Sequence, residues 1–141
     1  MKRKRLLKVG TDCSGIDAPV IALNHIKKIK IKHLFSCEYN KTAKDVLLAN
    51  HEPSIFYDDI TKRDATCTPS VDLYVAGFPC QTFSSLGKQN GRDDPRGRIF
   101  DYIYRYIETQ KPNMFLLENV LNLVRIKKGK IFADIIASLQ S

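Results

Sequence analysis

The stretch that decides the fold reads LLKVGTDCSGID over residues 6–17. Residues 6–11 have the apolar content of a buried strand, and Gly15 lies in the polar turn that follows. Asp17 is positioned to cap a following helix, and Pro19 falls in the first turn of that helix. A strand, a glycine-containing turn and a helix in succession predict the opening unit of an α/β fold.

Strand-like and helix-like segments alternate along the rest of the chain. Further strands are predicted over residues 33–37, 55–57, 71–76 and 114–117, and helices over 41–50, 98–110 and 132–139. The residues expected to be buried in the first two helices are Val20, Ile21, Leu23 and Ile26, then Ala43, Val46, Leu47 and Leu48. The pattern predicts a mostly parallel sheet with helices on both faces and the Rossmann-like strand order 3-2-1-4-5. We expect a single α/β domain over residues 1–141 with a basic tail over 1–5.

Composition narrows the class of protein. The chain has 141 residues, of which 43% are hydrophobic and 27% are charged, which excludes a disordered chain. No apolar run is long enough for a membrane span or a signal peptide, so we expect an intracellular, cytoplasmic protein. None of the four cysteines lies in a C-x-x-C pair, so we expect neither a metal site nor a disulfide framework.

The net charge of +8 favours a polyanionic partner such as nucleic acid. Much of the excess lies in residues 2–5 and in Lys27, Lys28, Lys30 and Lys32. The alternative interpretation of these two groups is a solvated tail and a solvated helix end.

Acidic residues follow consecutive predicted strands. Ligands of parallel α/β sheets bind beyond the carboxyl ends of the strands. There Gly15 lets the backbone approach a ligand, Glu38 could accept both hydroxyls of a ribose, and Asp59 could accept an adenine amino group with Ile60 against the ring. Each acid alone is more often a helix cap or a turn residue, but together they favour a nucleoside cofactor. The acidic turn disfavours a pyrophosphate and favours an adenosine that carries a cationic sulfonium.

The sharpest local feature is VAGFPCQTFS over residues 75–84. A buried strand leads through Gly77 to Pro79 and Cys80, so the thiol is predicted at the mouth of the sheet. No histidine lies nearby in sequence, which argues against a Cys–His hydrolase. The loop over residues 84–98 is basic and could contact phosphates as a lid.

Several of these motifs occur together in one known family. P-C-Q-x-F-S spans residues 79–84, E-N-V spans 118–120, the turn C-S-G-I spans 13–16, and R-G-R-I-F spans 96–100. With Glu38 and the Asp59-Ile60 pair, in this order, the chain from Val9 onward resembles the C5-cytosine DNA methyltransferases. The resemblance implies S-adenosylmethionine as methyl donor and a cytosine flipped out of DNA as substrate.

The resemblance also implies roles for individual residues. Cys80 would attack carbon 6 of cytosine, Glu118 would contact the ring N3 and the amine, and Asn119, Pro79 and Gln81 would complete the catalytic set. The implied cofactor residues are Cys13, Ser14, Gly15, Ile16, Glu38, Asp59, Ile60, Gly77 and Ile99. The implied nucleic-acid contacts are Ser84, Lys88, Arg92, Arg96 and Arg98.

The chain departs from the family pattern in three respects. Asp17 stands where many members have a second glycine, and Cys13 stands at the usual phenylalanine position. The family's Q-x-R-x-R segment, target-recognition domain and closing segment do not follow Val120, so we expect an incomplete domain with an uncovered apolar fifth strand.

Three hypotheses stay open at this point: a catalytic part that needs a second chain for target recognition, a free-standing small methyltransferase, and a non-catalytic nucleic-acid-binding or scaffold protein. RNA cytosine is an alternative substrate.

Overall fold

The computed structural model describes residues 5–79 and 99–140. The sequence predictions for residues 80–98, which include Cys80, Gln81, Ser84, Lys88, Arg92, Arg96 and Arg98, lie outside the described residues, as does most of the basic tail. The strands are β1 (Arg5–Asp12), β2 (Ile29–Cys37), β3 (Ile55–Tyr57), β4 (Leu73–Gly77) and β5 (Met114–Glu118). The helices are α1 (Ala18–Asn24), α2 (Lys41–Asn50), α3 (Ile99–Gln110) and α4 (Lys130–Gln140).

The five strands form one parallel sheet in the order β3-β2-β1-β4-β5. The predicted strand order and α/β class are therefore confirmed. β2 begins four residues earlier than the predicted strand, at Ile29. Consequently Lys30 and Lys32 are exposed strand residues, not part of a helix end, and Lys32 pairs in register with Lys8 of β1.

Helices pack on both faces of the sheet, as predicted. The larger core joins Phe35, Tyr74 and Ala76 of the strands to Phe100, Ile103 and Tyr106 of α3 and to Ile131 and Ile135 of α4. On the opposite face, Asp17 at the start of α1 is hydrogen-bonded to Thr11 of β1 and Ser36 of β2. The central strands of the sheet therefore lie between two layers of helices. The turn after β1 connects the sheet to α1 on the second of these faces.

A glycine in β1 makes room for the central aromatic ring of the core. A Cβ placed on Gly10 would lie 2.2 Å from Cε1 of Phe35, whose ring is fully buried. The Phe35 ring in turn contacts the rings of Tyr106 and Tyr57 edge-on, at centroid distances of 5.4 and 6.1 Å. Gly10 therefore allows a β2 side chain to lie across the backbone of β1.

The helices α1 and α2 bury fewer side chains than the apolar pattern predicts. Val20 and Leu47 are buried, but Ile21, Ile26, Val46 and Leu48 are all at least 40% exposed. Ile26 lies beyond the end of α1, which closes at Asn24. Val46 and Leu48 flank Leu47 by about 100° on either side of the helix, so only one of the three faces the sheet.

The fifth strand lies at the edge of the sheet, as predicted. Met114, Phe115 and Leu116 are 54%, 41% and 57% exposed.

Within residues 5–79 and 99–140, none of the helices has the length and apolar composition that crossing a bilayer requires.

Candidate active site at the carboxyl edge of the sheet

A cavity of about 410 Å³ opens where β1, β4 and β5 end. Its wall consists of the turn over residues 11–19, Val75 and Gly77 of β4, and Leu116 and Glu118 of β5. The cavity therefore brings together Cys13, Ser14, Gly15, Ile16, Gly77 and Glu118, which the sequence analysis singled out.

The turn after β1 is built from left-handed backbone conformations. Cys13, Gly15 and Asp17 have φ angles of 50°, 55° and 59°. Such values are uncommon outside glycine, so surrounding contacts must hold Cys13 and Asp17 in place. Ser14 supplies some of them, because its N–H donates to the carbonyl oxygen of Cys37 at 3.0 Å and its Oγ accepts from the Cys37 N–H at 3.0 Å. The turn is thereby attached to the end of β2.

Glu38 holds the same turn from the end of β2. Its Oε2 accepts from the Gly15 N–H at 2.7 Å, and its Oε1 accepts from the Asn40 N–H at 2.7 Å. A Cβ on Gly15 would meet nothing within 4 Å, so the space above the turn is open. Each carboxylate oxygen keeps a further lone pair for a ligand hydroxyl.

Asp17 does not cap α1 with its side chain, contrary to the prediction. It occupies the N-cap position, but its carboxylate turns inward and is fully buried. Its Oδ1 accepts from Thr11 Oγ1 at 2.7 Å, and its Oδ2 accepts from Ser36 Oγ at 2.6 Å. Ser36 has one proton and donates it to Asp17, so His33 Nε2 is the donor in the 2.7 Å bond to Ser36. Asp17 thus joins β1, β2 and α1.

Asp12, at the end of β1, belongs to a second buried network. Both of its carboxylate oxygens accept from the guanidinium of Arg63, at 2.5 and 2.6 Å. Tyr74 donates its hydroxyl to Asp12 Oδ2 at 2.5 Å. The side chains of Arg63 and Asp12 are 3% and 0% exposed. Although burial opposes its charge, the Asp12 carboxylate raises the pKa of Arg63 above its usual value.

The two networks hold the acidic residues of the turn. The carboxylates of Asp12 and Asp17 are both hydrogen-bonded within the protein and both line the cavity, and Asp12 is paired with the guanidinium of Arg63. Sequence reasoning missed Arg63, Tyr74 and Ser36. No motif marks them, since Arg63 and Tyr74 are 51 and 62 residues from Asp12.

Four predicted cofactor residues do not line this cavity: Glu38, which bonds to the Gly15 turn from outside it, and Asp59, Ile60 and Ile99. Asp59 caps the short 3₁₀ helix Ile60–Lys62 through bonds from Thr61 N and Thr61 Oγ1, at 2.9 and 2.7 Å. Burial opposes the effect, but these two bonds lower the pKa of Asp59 below its ordinary value. Ile60 is 6% exposed and belongs to the core, and Ile99 packs against that core.

Glu118 and Asn119 project from the end of β5 toward the segment that precedes Cys80. A Cβ on Gly77 would lie 3.3 Å from Glu118 Oε2, so the absence of a side chain permits this approach. Asn119 Nδ2 donates to the carbonyl oxygen of Phe78 at 2.5 Å. Asn119 therefore attaches the end of β5 to the Phe78–Pro79 segment.

Two thiols lie at or beside the turn: Cys13, which is partly buried, and Cys37, which is buried. Burial, reinforced by Asp12 and Glu38, raises the pKa of Cys13 to about 12. Burial likewise raises the pKa of Cys37 above its ordinary value. Since the thiolate is the reactive form, neither group is a nucleophile near neutral pH.

The fold and this edge define a class: a Rossmann-like α/β domain with a ligand cavity at the carboxyl ends of its central strands. A model of the C-5 cytosine-specific DNA methylase family matches residues 12–141. The chain belongs to this family of C5-cytosine DNA methyltransferases.

The chain is also similar to individual proteins that are named as Type II methyltransferases. The chain is 45% identical to the Type II methyltransferase M1.ScrFI of Lactococcus lactis subsp. cremoris, over 79% of this chain and 28% of that protein. It is 43% identical to the Type II methyltransferase M.SsoII of Shigella sonnei, over 90% of this chain and 33% of that protein. The chain therefore spans about a third of the length of these relatives.

A crystal structure described as a DNA modification methyltransferase encoded within an E. coli prophage has a similar fold. The TM-score is 0.72 at 20% identity, and the match covers 95% of this chain and 38% of that one. At this identity the likeness supports the fold alone.

Proposed function

We propose that this chain carries the cofactor-binding and catalytic part of an enzyme that methylates carbon 5 of cytosine in DNA. The observation that carries the proposal is the meeting of three chain segments at one cavity. The Gly15 turn, Gly77 at the end of β4 and Glu118 at the end of β5 line it, and Asn119 bonds to the Phe78 carbonyl that follows Gly77.

The residues around the Gly15 turn suit an adenosyl cofactor, for which we propose S-adenosylmethionine. The open space above Gly15 admits a bulky ligand, and Glu38 is already fixed beside it with lone pairs available for ribose hydroxyls. The proposed cofactor residues are Cys13, Ser14, Gly15, Ile16, Glu38, Asp59, Ile60, Gly77 and Ile99. When bound, the cofactor supplies an electrophilic methyl group.

The chemistry that we propose for the chain's own residues begins at Cys80. Carbon 5 of cytosine is a poor nucleophile until the aromatic ring is interrupted. The Cys80 thiolate adds to carbon 6, and Glu118 holds a proton at ring N3 and stabilises the enamine that forms. Carbon 5 would then take the methyl group as the S–CH3 bond of the sulfonium breaks and leaves a neutral thioether. Carbon 5 loses its proton to water, and the electron pair left behind expels Cys80 as thiolate.

Pro79, Gln81 and Asn119 orient the Cys80 segment in this proposal. The bond from Asn119 to the Phe78 carbonyl lies only two residues before Cys80, so it restrains where that segment leaves the sheet. We assign Ser84, Lys88, Arg92, Arg96 and Arg98 to phosphate contacts with the DNA. Because the relatives are about three times longer, we propose that target recognition comes from further polypeptide, in the same or a second chain.

A mechanism-based trap tests the chemistry. DNA containing 5-fluorocytosine should form a covalent adduct at Cys80, because no proton can leave carbon 5. The chain is tested together with a polypeptide that supplies target recognition, and Cys67→Ser, which replaces an exposed thiol, is the matched control. The adduct should persist in the control and disappear in Cys80→Ser. An adduct that persists in Cys80→Ser would refute the assignment.

Calorimetry tests the cofactor site separately. Glu38→Ala removes the acceptor proposed for the ribose and should weaken binding of S-adenosylhomocysteine by about 1–3 kcal/mol. Glu52→Ala replaces an exposed acid that does not bond to the Gly15 turn and should leave binding unchanged. Equal affinities for all three proteins would show that the pocket is wrongly placed.

A further inference from the structure

The buried pair of Asp12 and Arg63 connects two segments that the proposed function assigns to one cofactor. Asp12 is the last residue of β1 and directly precedes the Cys13–Ser14–Gly15 turn. Arg63 caps the end of the 3₁₀ helix Ile60–Lys62, which begins directly after Asp59. The two segments come from β1 and β3, which are not neighbours in the sheet because β2 lies between them.

The Arg63 side chain spans β2 over an aromatic surface. Its guanidinium carbon lies 5.1 Å from the ring centroid of Phe35 on β2, 5.2 Å from that of Tyr57 on β3, and 5.4 Å from that of Tyr106 on α3. The guanidinium is therefore surrounded by three aromatic rings and held by a carboxylate. Stacking and bidentate pairing both require the planar, forked group of arginine, which a lysine ammonium does not supply.

The pair is built for geometry more than for stability. Burying two charges costs desolvation energy that their attraction only partly returns, so a buried ion pair is poor evidence of a stabilising role. Its bidentate bonds do set both the distance and the orientation of the joined segments. Tyr74 of β4 also donates its hydroxyl to Asp12, but β4 carries neither of the two segments that the bridge joins.

We infer that Arg63 is a positioning residue for the adenosyl ligand: its bridge to Asp12 holds the Asp59–Ile60 segment in register with the Gly15 turn. The inference rests on the proposed function, in which one ligand spans both segments. A ligand that contacts two segments binds tightly only when they are already correctly spaced.

The test compares S-adenosylhomocysteine binding among folded variants. Arg63→Met keeps the apolar stem but cannot bond to Asp12, and Arg63→Lys keeps only a point charge. Tyr74→Phe removes the hydroxyl bond to Asp12 and leaves the bonds from Arg63 intact. Calorimetry is run at a temperature where circular dichroism shows each variant folded. Where Arg63→Met does not fold because Asp12 is left unpaired, the double variant Asp12→Asn with Arg63→Met replaces it.

Arg63→Met, or the double variant, should bind about tenfold more weakly, a loss of roughly 1.4 kcal/mol of preorganisation. Arg63→Lys should recover part of the affinity, and Tyr74→Phe should bind like the wild type despite a lower melting temperature. A folded Arg63→Met protein with wild-type affinity, or a Tyr74→Phe protein weakened equally, would overturn the inference by reducing Arg63 to general packing.

Amide hydrogen exchange separates this inference from the proposed function. In Arg63→Met the protection of residues 13–15 and 60–62 should fall together, while that of β5 should not change. Wild-type protein that binds no adenosyl ligand would refute the cofactor proposal. Unchanged protection of both segments in Arg63→Met would refute the positioning role whatever the wild type binds.

Discussion

Replacing Asp17 by glycine sets two effects of known size against each other. The substitution restores the residue that many family members have at this position. It also relieves a left-handed backbone, since Asp17 has a φ of 59°. That relief stabilises the folded chain by about 1–2 kcal/mol. Judged by sequence and backbone alone, Asp17→Gly should therefore be stabilising.

The hydrogen bonds of Asp17 predict the opposite outcome. Glycine removes the acceptor for Thr11 and Ser36, whose side chains are 1% and 0% exposed. Hydrogen bonds to a charged group are each worth about 1.5–3 kcal/mol. Both hydroxyls keep one other neighbour, Ser14 Oγ at 2.8 Å and His33 Nε2 at 2.7 Å, so the lower end of that range applies. The net loss should be about 1–2 kcal/mol of unfolding free energy.

Urea unfolding followed by far-UV circular dichroism measures the difference, because the chain has no tryptophan to report by fluorescence. Asp17→Asn is the matched control, since asparagine tolerates the left-handed conformation and keeps an acceptor oxygen. The expected order of stability is wild type, then Asp17→Asn, then Asp17→Gly. A glycine variant as stable as the wild type would refute the reasoning, because backbone strain would then outweigh the buried bonds.

Three further predictions concern the core, the pH response and the sheet edge. Gly10→Ala should unfold or strongly destabilise the chain, because its Cβ would overlap the Phe35 ring. Adding Phe35→Leu should recover part of the loss in a thermal melt, and a fully stable Gly10→Ala protein would contradict the packing. Burial raises the pKa of Cys13 to about 12, so the unfolded chain loses this proton at a lower pH than the folded chain does. The contribution of Cys13 to the free energy of unfolding should therefore be fully present below pH 9 and decline toward pH 12. A urea midpoint that stays constant over this range would contradict the burial. Leu116→Lys should reduce self-association measured by light scattering, because this side chain is 57% exposed on an edge strand, whereas Leu48→Lys on α2 should not. A monomeric wild type would show that the edge strand does not pair with other molecules.

Much of the candidate site follows from motifs whose members lie close together in sequence. Gly15, Gly77 and Glu118 were each recognisable at the end of a predicted strand, and parallel strands bring such ends to one edge. Glu38 was likewise predicted beside the turn, and it bonds to Gly15. The Asp59–Ile60 segment was also predicted there, but Asp59 caps a 3₁₀ helix and Ile60 enters the core. Local sequence placed the segment but did not orient its side chains.

The amino-acid sequence by itself determined the order of strands and the family, and it predicts the turn at which a ligand would bind. These depend on the alternation of apolar and polar residues and on short motifs, which act over a few residues. Only the tertiary structure decided that Asp12 pairs with Arg63 and that Asp17 turns inward. Those choices depend on burial, because a carboxylate removed from water must find donors wherever the fold brings them. The donors to Asp12 are 51 and 62 residues away, and one of the two donors to Asp17, Ser36, is 19 residues away on β2, beyond the reach of any local pattern.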